Sequence, residues 1–495
     1  MSGLPRKINQ FPTNLLHPLV KQVKMTDWGS IVNGIRSDMQ GLKLELRPML
    51  SLAVPVVLAE LAWITMGIVD TMMVGRLSPE AIGGVSIGSV LFFAVGVFGV
   101  GLLFGLDTLV SQAFGAGSLK DCHAWLLHAT YLSLILALPL MALISLATTF
   151  LPAWGIHPRV LQEAVPYLEV LVWSLTPLLL YTCLRRYLQA MNQVRPIMFA
   201  LITANLINVA ANWVLIFGNL GIPAMGTVGA AWATLISRIY MAMVLFFAVW
   251  QHDRRLETRL RHISLRLQPS RLLQLLALGS PAALQTTLEV GVFAAATALA
   301  GKLAPIALAA HQIVLNVASF TFMVPLGVSS AGAVRVGQAL GRRDGEAARR
   351  SGWTALLLGG GFMFWAGLWF WTAPRLILRV FTTDQTVIDT GVILLFVAAF
   401  FQLFDGLQVV ATGVLRGAGD TRTPMLWNLV GHWFLGLPVG YALCFVLKQG
   451  VVGLWVGLSL GLIVVGAALL WVWSRRVRLW HHGVQLNTFG ALSDH

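Results

Sequence analysis

The sequence predicts an all-α membrane protein, with twelve transmembrane helices in two pseudo-symmetric six-helix bundles. Three observations predict it. Of 495 residues, 57% are hydrophobic and 11% are charged, with a mean hydropathy of +0.77. A soluble domain usually carries about 25% charged residues. The apolar residues gather in twelve runs, each long enough for the roughly 20 residues that cross a bilayer as a helix. The second half of the chain also repeats features of the first at a nearly constant offset.

The runs lie near 49–74, 81–109, 124–150, 164–183, 196–217, 229–250, 276–300, 306–333, 353–372, 388–412, 425–447 and 451–473. They are continuous, without the alternating ten-residue pattern of a membrane β-barrel. The net charge of +14 would suggest nucleic acid in a soluble protein. Here 27 of the 34 Lys and Arg fall on one predicted side, which reads as the cytoplasmic side under the positive-inside rule and excludes a nucleic-acid partner. Both termini are then cytoplasmic. The predicted organisation is an N-terminal extension over 1–45, a first lobe over 46–251, a basic linker over 252–275, a second lobe over 276–474 and a tail over 475–495. The extension has no apolar core of signal-peptide length, and an interfacial helix is predicted near Trp28–Leu46. Cys122, Cys183 and Cys444 are too few and too far apart for a disulfide framework or a metal motif.

The repeat is carried by particular residues. Pro55 and Pro281 are 226 apart, as are Gly75-Arg76-Leu77-Ser78-Pro79 and Gly301-Lys302-Leu303-Ala304-Pro305. Gln112-Ala113-Phe114-Gly115 and Gln338-Ala339-Leu340-Gly341 share that offset, and Arg195 and Met198 match Arg422 and Met425 at 227. Six spans per half put both halves in the same orientation, related by an axis along the membrane normal. Two such bundles enclose a central cleft, and rocking them gives alternating access.

Ionisable residues inside the spans are the candidates for function, because an ionised group at mid-bilayer costs about 2.5–3.5 kcal/mol even on insertion scales. Glu289 and Asp405 lie deep in spans seven and ten with no basic residue nearby in sequence, which points to a cation or proton site. Asp70 in span one is a third candidate, either titratable or paired with Arg76. Asp107 lies beside the Gly115-Ala116-Gly117 turn, where a structural pair with a loop base is expected. Glu60, Arg238, His311 and His432 carry no pattern that assigns them a role. Asn205, Asn208 and Asn212 share one helical face. With Gln285, Gln312, Asn316, Gln402 and Gln408 they read either as cleft-lining amides or as interhelical glue. No phosphate-binding loop is present, so nothing reads as an enzyme or an ATP-driven pump.

These residues resemble the multidrug and toxic compound extrusion (MATE) family, in its NorM-like branch, over about 45–475. The resemblance rests on Met66-Gly67-Ile68-Val69-Asp70-Thr71-Met72-Met73-Val74-Gly75, Leu288-Glu289-Val290-Gly291-Val292-Phe293-Ala294 and Ala309-Ala310-His311-Gln312-Ile313-Val314-Leu315-Asn316. It rests also on Arg335-Val336-Gly337, on Phe401-Gln402-Leu403-Phe404-Asp405-Gly406-Leu407-Gln408, and on Leu415-Arg416-Gly417. The resemblance implies a two-lobed antiporter that exports cationic, lipophilic organic compounds in exchange for H⁺ or Na⁺. It implies no further cofactor, a functional monomer in contact with membrane lipids, and a bacterial inner membrane location. It places the cation site, or the Na⁺ ligands if Na⁺ is the coupling ion, on Glu289 and Asp405, and the first-lobe acid on Asp70. A family tyrosine one turn before the acid of span ten is Phe401 here, which removes an oxygen and favours H⁺. A lipid-linked precursor flippase or a passive channel are the rival readings. The flippase predicts extra spans and a basic cleft, whereas Arg238 is the one base inside a predicted span.

Overall fold

In a computed structural model of the chain, residues 25–254 and 264–481 are described. They form helices throughout, and twelve are long and apolar enough to cross a membrane. These are α1 (Met25–Val74), α2 (Pro79–Gly115), α3 (Leu119–Trp154), α4 (Pro158–Ala190), α5 (Arg195–Phe217), α6 (Gly226–Asp253), α7 (Pro269–Ala300), α8 (Pro305–Gly341), α9 (Gly345–Thr372), α10 (Gln385–Gly417), α11 (Arg422–Val446) and α12 (Gly450–His481). A turn at Leu103-Phe104 interrupts α2. The predicted interfacial segment is instead continuous with the first span, inside α1.

The repeated motifs mark helix ends. Ser78 Oγ accepts from Ala81 N at 3.0 Å and Pro79 occupies the first turn of α2, where its missing N–H costs nothing. Pro305 begins α8 in the same way. The reversals after α2 and α8 use left-handed residues at Gly117 (φ 76°) and Arg343 (φ 61°), 226 apart. Those after α4 and α10 use Asn192 (φ 62°) and Gly419 (φ 82°), 227 apart. Glycine takes this region freely, while Arg343 holds it at a steric cost.

The first lobe, α1–α6, has its own apolar core, which Leu275 of α7 joins. A second core contains residues of α8, α9, α10 and α12, yet Met49, Leu52, Ala53 and Val56 of α1 also belong to it. Helix α1 therefore begins against the second lobe and ends in the first. The bidentate pair of Arg335 with Glu45, at 2.7 and 2.9 Å, fixes this crossing, and Ser351 Oγ donates to Glu45 at 2.8 Å.

The hydrogen bonds that join the lobes lie at the end where α2 meets α3 and α8 meets α9. Gln112 Nε2 donates to the Gly417 carbonyl at 3.1 Å, and Gln338 Nε2 donates to the Ala190 carbonyl at 2.8 Å. These partners are themselves related by the repeat. Backbones touch there: a Cβ on Gly115 would lie 2.1 Å from the Gln338 oxygen, and one on Gly341 would lie 2.1 Å from the Gln112 oxygen. The two Gln-Ala-x-Gly motifs thus meet each other across the pseudo-twofold axis. At the opposite end, the apolar clusters of the second lobe contain no first-lobe residue among those described. The contacts named between the lobes therefore gather at one end, the closed end, whereas the apolar clusters toward the other, open, end each belong to a single lobe among the described residues.

Nearly every span is longer than predicted at the closed end. Helices α2 and α8 have 37 residues each, roughly 55 Å at 1.5 Å per residue, against a hydrocarbon core of about 30 Å. The added turns carry Arg185, Arg186, Arg335 and Arg416, which a hydropathy reading places in loops. Each is buried or half-buried and paired with an acid.

Candidate functional site

The acids within the spans separate into two kinds. Glu60 of α1 pairs with Arg185 of α4, and Asp107 of α2 pairs with Arg186 and Arg416. Asp70, Glu289 and Asp405 have no Lys or Arg within ion-pair distance among the described residues. Their neighbours are amides and hydroxyls.

In the first lobe, Asn212 Nδ2 of α5 donates to Asp70 Oδ1 at 2.6 Å, and Thr234 Oγ1 of α6 donates to Oδ2 at 3.3 Å. The same Asn212 nitrogen also donates to Asn208 Oδ1 at 3.1 Å. The helical spacing of Asn208 and Asn212 aims both toward α1. Arg238 of α6 makes no ion pair with Asp70 but lies within its electrostatic reach; its Nη1 donates to Ser174 Oγ at 2.5 Å and its guanidinium lies 4.6 Å over the Phe92 ring. Asn205 donates to the Ala62 and Leu201 carbonyls at 3.0 and 2.9 Å, tying α5 to α1. Asp70 does not pair with Arg76, which is exposed.

In the second lobe, Glu289 of α7 faces α10. Gln408 Nε2 donates to Glu289 Oε1 at 3.3 Å and reaches Asn428 Oδ1 of α11 at 3.4 Å. Asn428 is in turn held by the Pro424 carbonyl at 3.0 Å. Asp405, one turn before Gln408, is buried on the same helix and within electrostatic reach of Glu289. Gln285, one turn before Glu289, is buried beside it. Gln408 Oε1 is buried without a hydrogen-bond partner. The result is two carboxylates with amides between three helices, a place where a proton or a small cation can replace the missing positive charge.

The remaining amides and aromatics lie elsewhere. Phe401 packs at 6.0 Å from Trp455 inside an apolar cluster. Gln402 is buried and donates to Thr321 Oγ1 at 2.6 Å and Met363 Sδ at 3.4 Å. Gln312 and Asn316 are exposed one turn apart on α8. Their neighbour His311 is buried, accepting from Trp455 Nε1 at 3.0 Å through Nδ1 and contacting Thr297 Oγ1 at 3.0 Å through Nε2. Asn428 and Thr234 were not singled out from sequence. Each is one of several polar residues in a mostly apolar helix, a weak signal until its partner, Asp70 for Thr234 and Gln408 for Asn428, is known.

The MatE family model matches residues 55–214 and again 281–442, so its two copies coincide with the internal repeat. The chain is 36% identical over 453 residues to the probable multidrug resistance protein NorM of Mesorhizobium japonicum, covering 90% of this chain and 97% of the relative. It is 37% identical over 444 residues to the protein of that name from Rhodopseudomonas palustris, covering 88% and 93%. Among solved structures, a eukaryotic MATE transporter superposes with a TM-score of 0.79 at 23% identity, covering 90% of this chain and all of that one. An outward-facing multidrug resistance MATE transporter superposes with a TM-score of 0.80 at 18% identity, covering 89% and 98%.

Proposed function

Since the chain belongs to the MatE family of multi-pass membrane proteins, we propose that it is a multidrug efflux antiporter exporting cationic, lipophilic compounds in exchange for H⁺. The observation that carries this reading is the Glu289–Asp405 pair, set among amides with no Lys or Arg within ion-pair distance among the described residues. A charge left uncompensated in a low-dielectric interior must take up a cation. A proton satisfies a carboxylate by itself, whereas Na⁺ needs several oxygen ligands, and Phe401 supplies none.

The proposed cycle uses the division into lobes 46–251 and 276–474, joined by the 252–275 linker. The closed end is the cytoplasmic end, both termini are cytoplasmic, and the host is a bacterial inner membrane. With the outer cleft open, protons load Glu289 and Asp405, and Asp70 titrates in the first lobe. Neutralised acids no longer hold a cationic substrate, which leaves outward. Closure then brings the acids to the cytoplasmic side, where proton release restores the charge that draws in the next organic cation. Each ligand lowers the affinity for the other, and that reciprocity is the exchange.

The test is uptake of a fluorescent organic cation by proteoliposomes under separate pH and Na⁺ gradients. A pH gradient is expected to drive uptake, and a Na⁺ gradient alone is not. Uptake driven only by Na⁺ would reassign the coupling ion. Flux indifferent to both gradients would overturn antiport in favour of a channel.

A further inference from the structure

Besides the Arg335–Glu45 and Arg271–Asp121 pairs, the closed end contains a three-charge cluster that the repeat does not duplicate. Asp107 is completely buried, and its Oδ2 lies 3.2 Å from Arg186 Nη1 and 3.1 Å from Arg416 Nε. Arg186 belongs to α4 in the first lobe and Arg416 to α10 in the second. The Phe104 ring, at the interruption of α2, lies between them, 4.2 Å from one guanidinium carbon and 4.7 Å from the other. Thr108 Oγ1, one residue beyond Asp107, donates to the Arg416 carbonyl. Arg186 Nη1 also reaches Ser330 of α8 at 3.3 Å. The position 226 beyond Asp107 is Ala333, so the twofold partner of this cluster has no acid.

We propose that Asp107 is a positioning residue for transport: it latches the closed end by holding the second-lobe Arg416 against the first-lobe Arg186. The cluster has one negative and two positive charges, and the two guanidiniums repel one another across the lobe boundary. Only Asp107 converts that repulsion into attraction. The symmetric contacts around it, Gln112 to Gly417 and Gln338 to Ala190, are neutral hydrogen bonds, weaker than charge-assisted ones. The charged latch adds a bias toward the state that is open at the far end, and it must be broken whenever the lobes part at this end. The inference rests on the two-state reading above.

The test measures the two-state equilibrium directly. Arg76 and Lys302 are exposed on opposite lobes at the open end, and Cys122, Cys183 and Cys444 are buried. Spin labels on Arg76→Cys and Lys302→Cys then report the width of the open mouth by electron–electron resonance in nanodiscs, without substrate or gradient. Asp107→Asn is expected to shift the distribution toward short distances by roughly tenfold in population ratio. Arg416→Gln is expected to do the same while leaving the Asp107–Arg186 pair within the first lobe intact, so it serves where Asp107→Asn fails to fold. Arg186→Gln keeps the cross-lobe Asp107–Arg416 pair while removing both the repulsion and the Arg186–Ser330 bond, two opposed cross-lobe changes, and it is expected to shift the distances less than Arg416→Gln. An unchanged distribution in folded Arg416→Gln overturns the latch. A shift in Arg186→Gln as large as that in Arg416→Gln also overturns it, because the Asp107–Arg416 pair would then not be what holds the lobes together. Failure of the parent to transport in proteoliposomes would sink the antiport reading while leaving these distances interpretable.

Discussion

Helices α1 and α2 present three acids to the same apolar surroundings, and the structure treats them in two ways. Glu60 and Asp107, toward the closed end, are each met by arginine. Asp70, toward the open end, is met by Asn212 and Thr234, as Glu289 in the second lobe is met by Gln408. A guanidinium supplies a permanent counter-charge and finishes the electrostatics of its acid. An amide orients a carboxylate without neutralising it. The comparison teaches where the proposed exchange would sit: at the acids without an ion-pair partner, while the arginine-paired acids would hold the frame.

The largest expected effect comes from removing charge at the unpartnered pair. Glu289→Gln and Asp405→Asn keep size and hydrogen bonding, and each is expected to abolish gradient-driven uptake while the protein stays monodisperse. Persistence of parental uptake in both would break the comparison. Asp70→Asn is expected to have a smaller effect, roughly a tenfold fall in uptake rate, or about 1.4 kcal/mol. It retains an acceptor for Asn212 and leaves the second-lobe pair untouched. A pH profile of uptake that moves with Asp70→Asn would sharpen the comparison by placing Asp70 among the titrating acids.

Glu60→Gln probes the other class. Removing one partner of a buried ion pair typically costs about 3–5 kcal/mol of stability. Thermal unfolding in detergent is expected to move down by several degrees, while uptake per folded molecule and its dependence on the pH gradient stay close to parental. A loss of coupling with unchanged stability would transfer Glu60 to the exchanging class.

This division was only half legible in the sequence. The spans, the repeat and the isolation of Glu289 and Asp405 were readable, because long apolar runs and a constant offset are properties of the chain itself. The arginine partners were not. Arg185, Arg186 and Arg416 count as loop charges in any hydropathy window, yet all three are buried in helix ends. Their counter-charges are on other helices, and helix rotation and lobe contact are not written locally. Part of the basic excess on one predicted face is therefore interface rather than solvent-exposed loop. The Gln-Ala-x-Gly repeat was visible as a repeat, but that its two copies meet each other follows only from the packing of α2 against α8. Asn205 shows the same limit: it shares a face with Asn208 and Asn212, yet it ties two helices together through carbonyls.

The smallest effect on exchange is expected from Phe401→Tyr, and it tests why the departure from the family tyrosine matters. If that ring lined the cation site, a restored hydroxyl would add an oxygen beside Asp405 and introduce a response to Na⁺. The ring instead packs on Trp455, and its apolar cluster includes Val317 and Leu462. A hydroxyl there has no water to meet, and a buried unsatisfied polar group costs about 1–3 kcal/mol. Phe401→Tyr is therefore expected to lower the melting temperature slightly and to leave uptake driven by pH, with no gain from a Na⁺ gradient. A Na⁺ response in this variant would mean that the ring reaches the carboxylates during the cycle, and that position 401 sets the coupling ion.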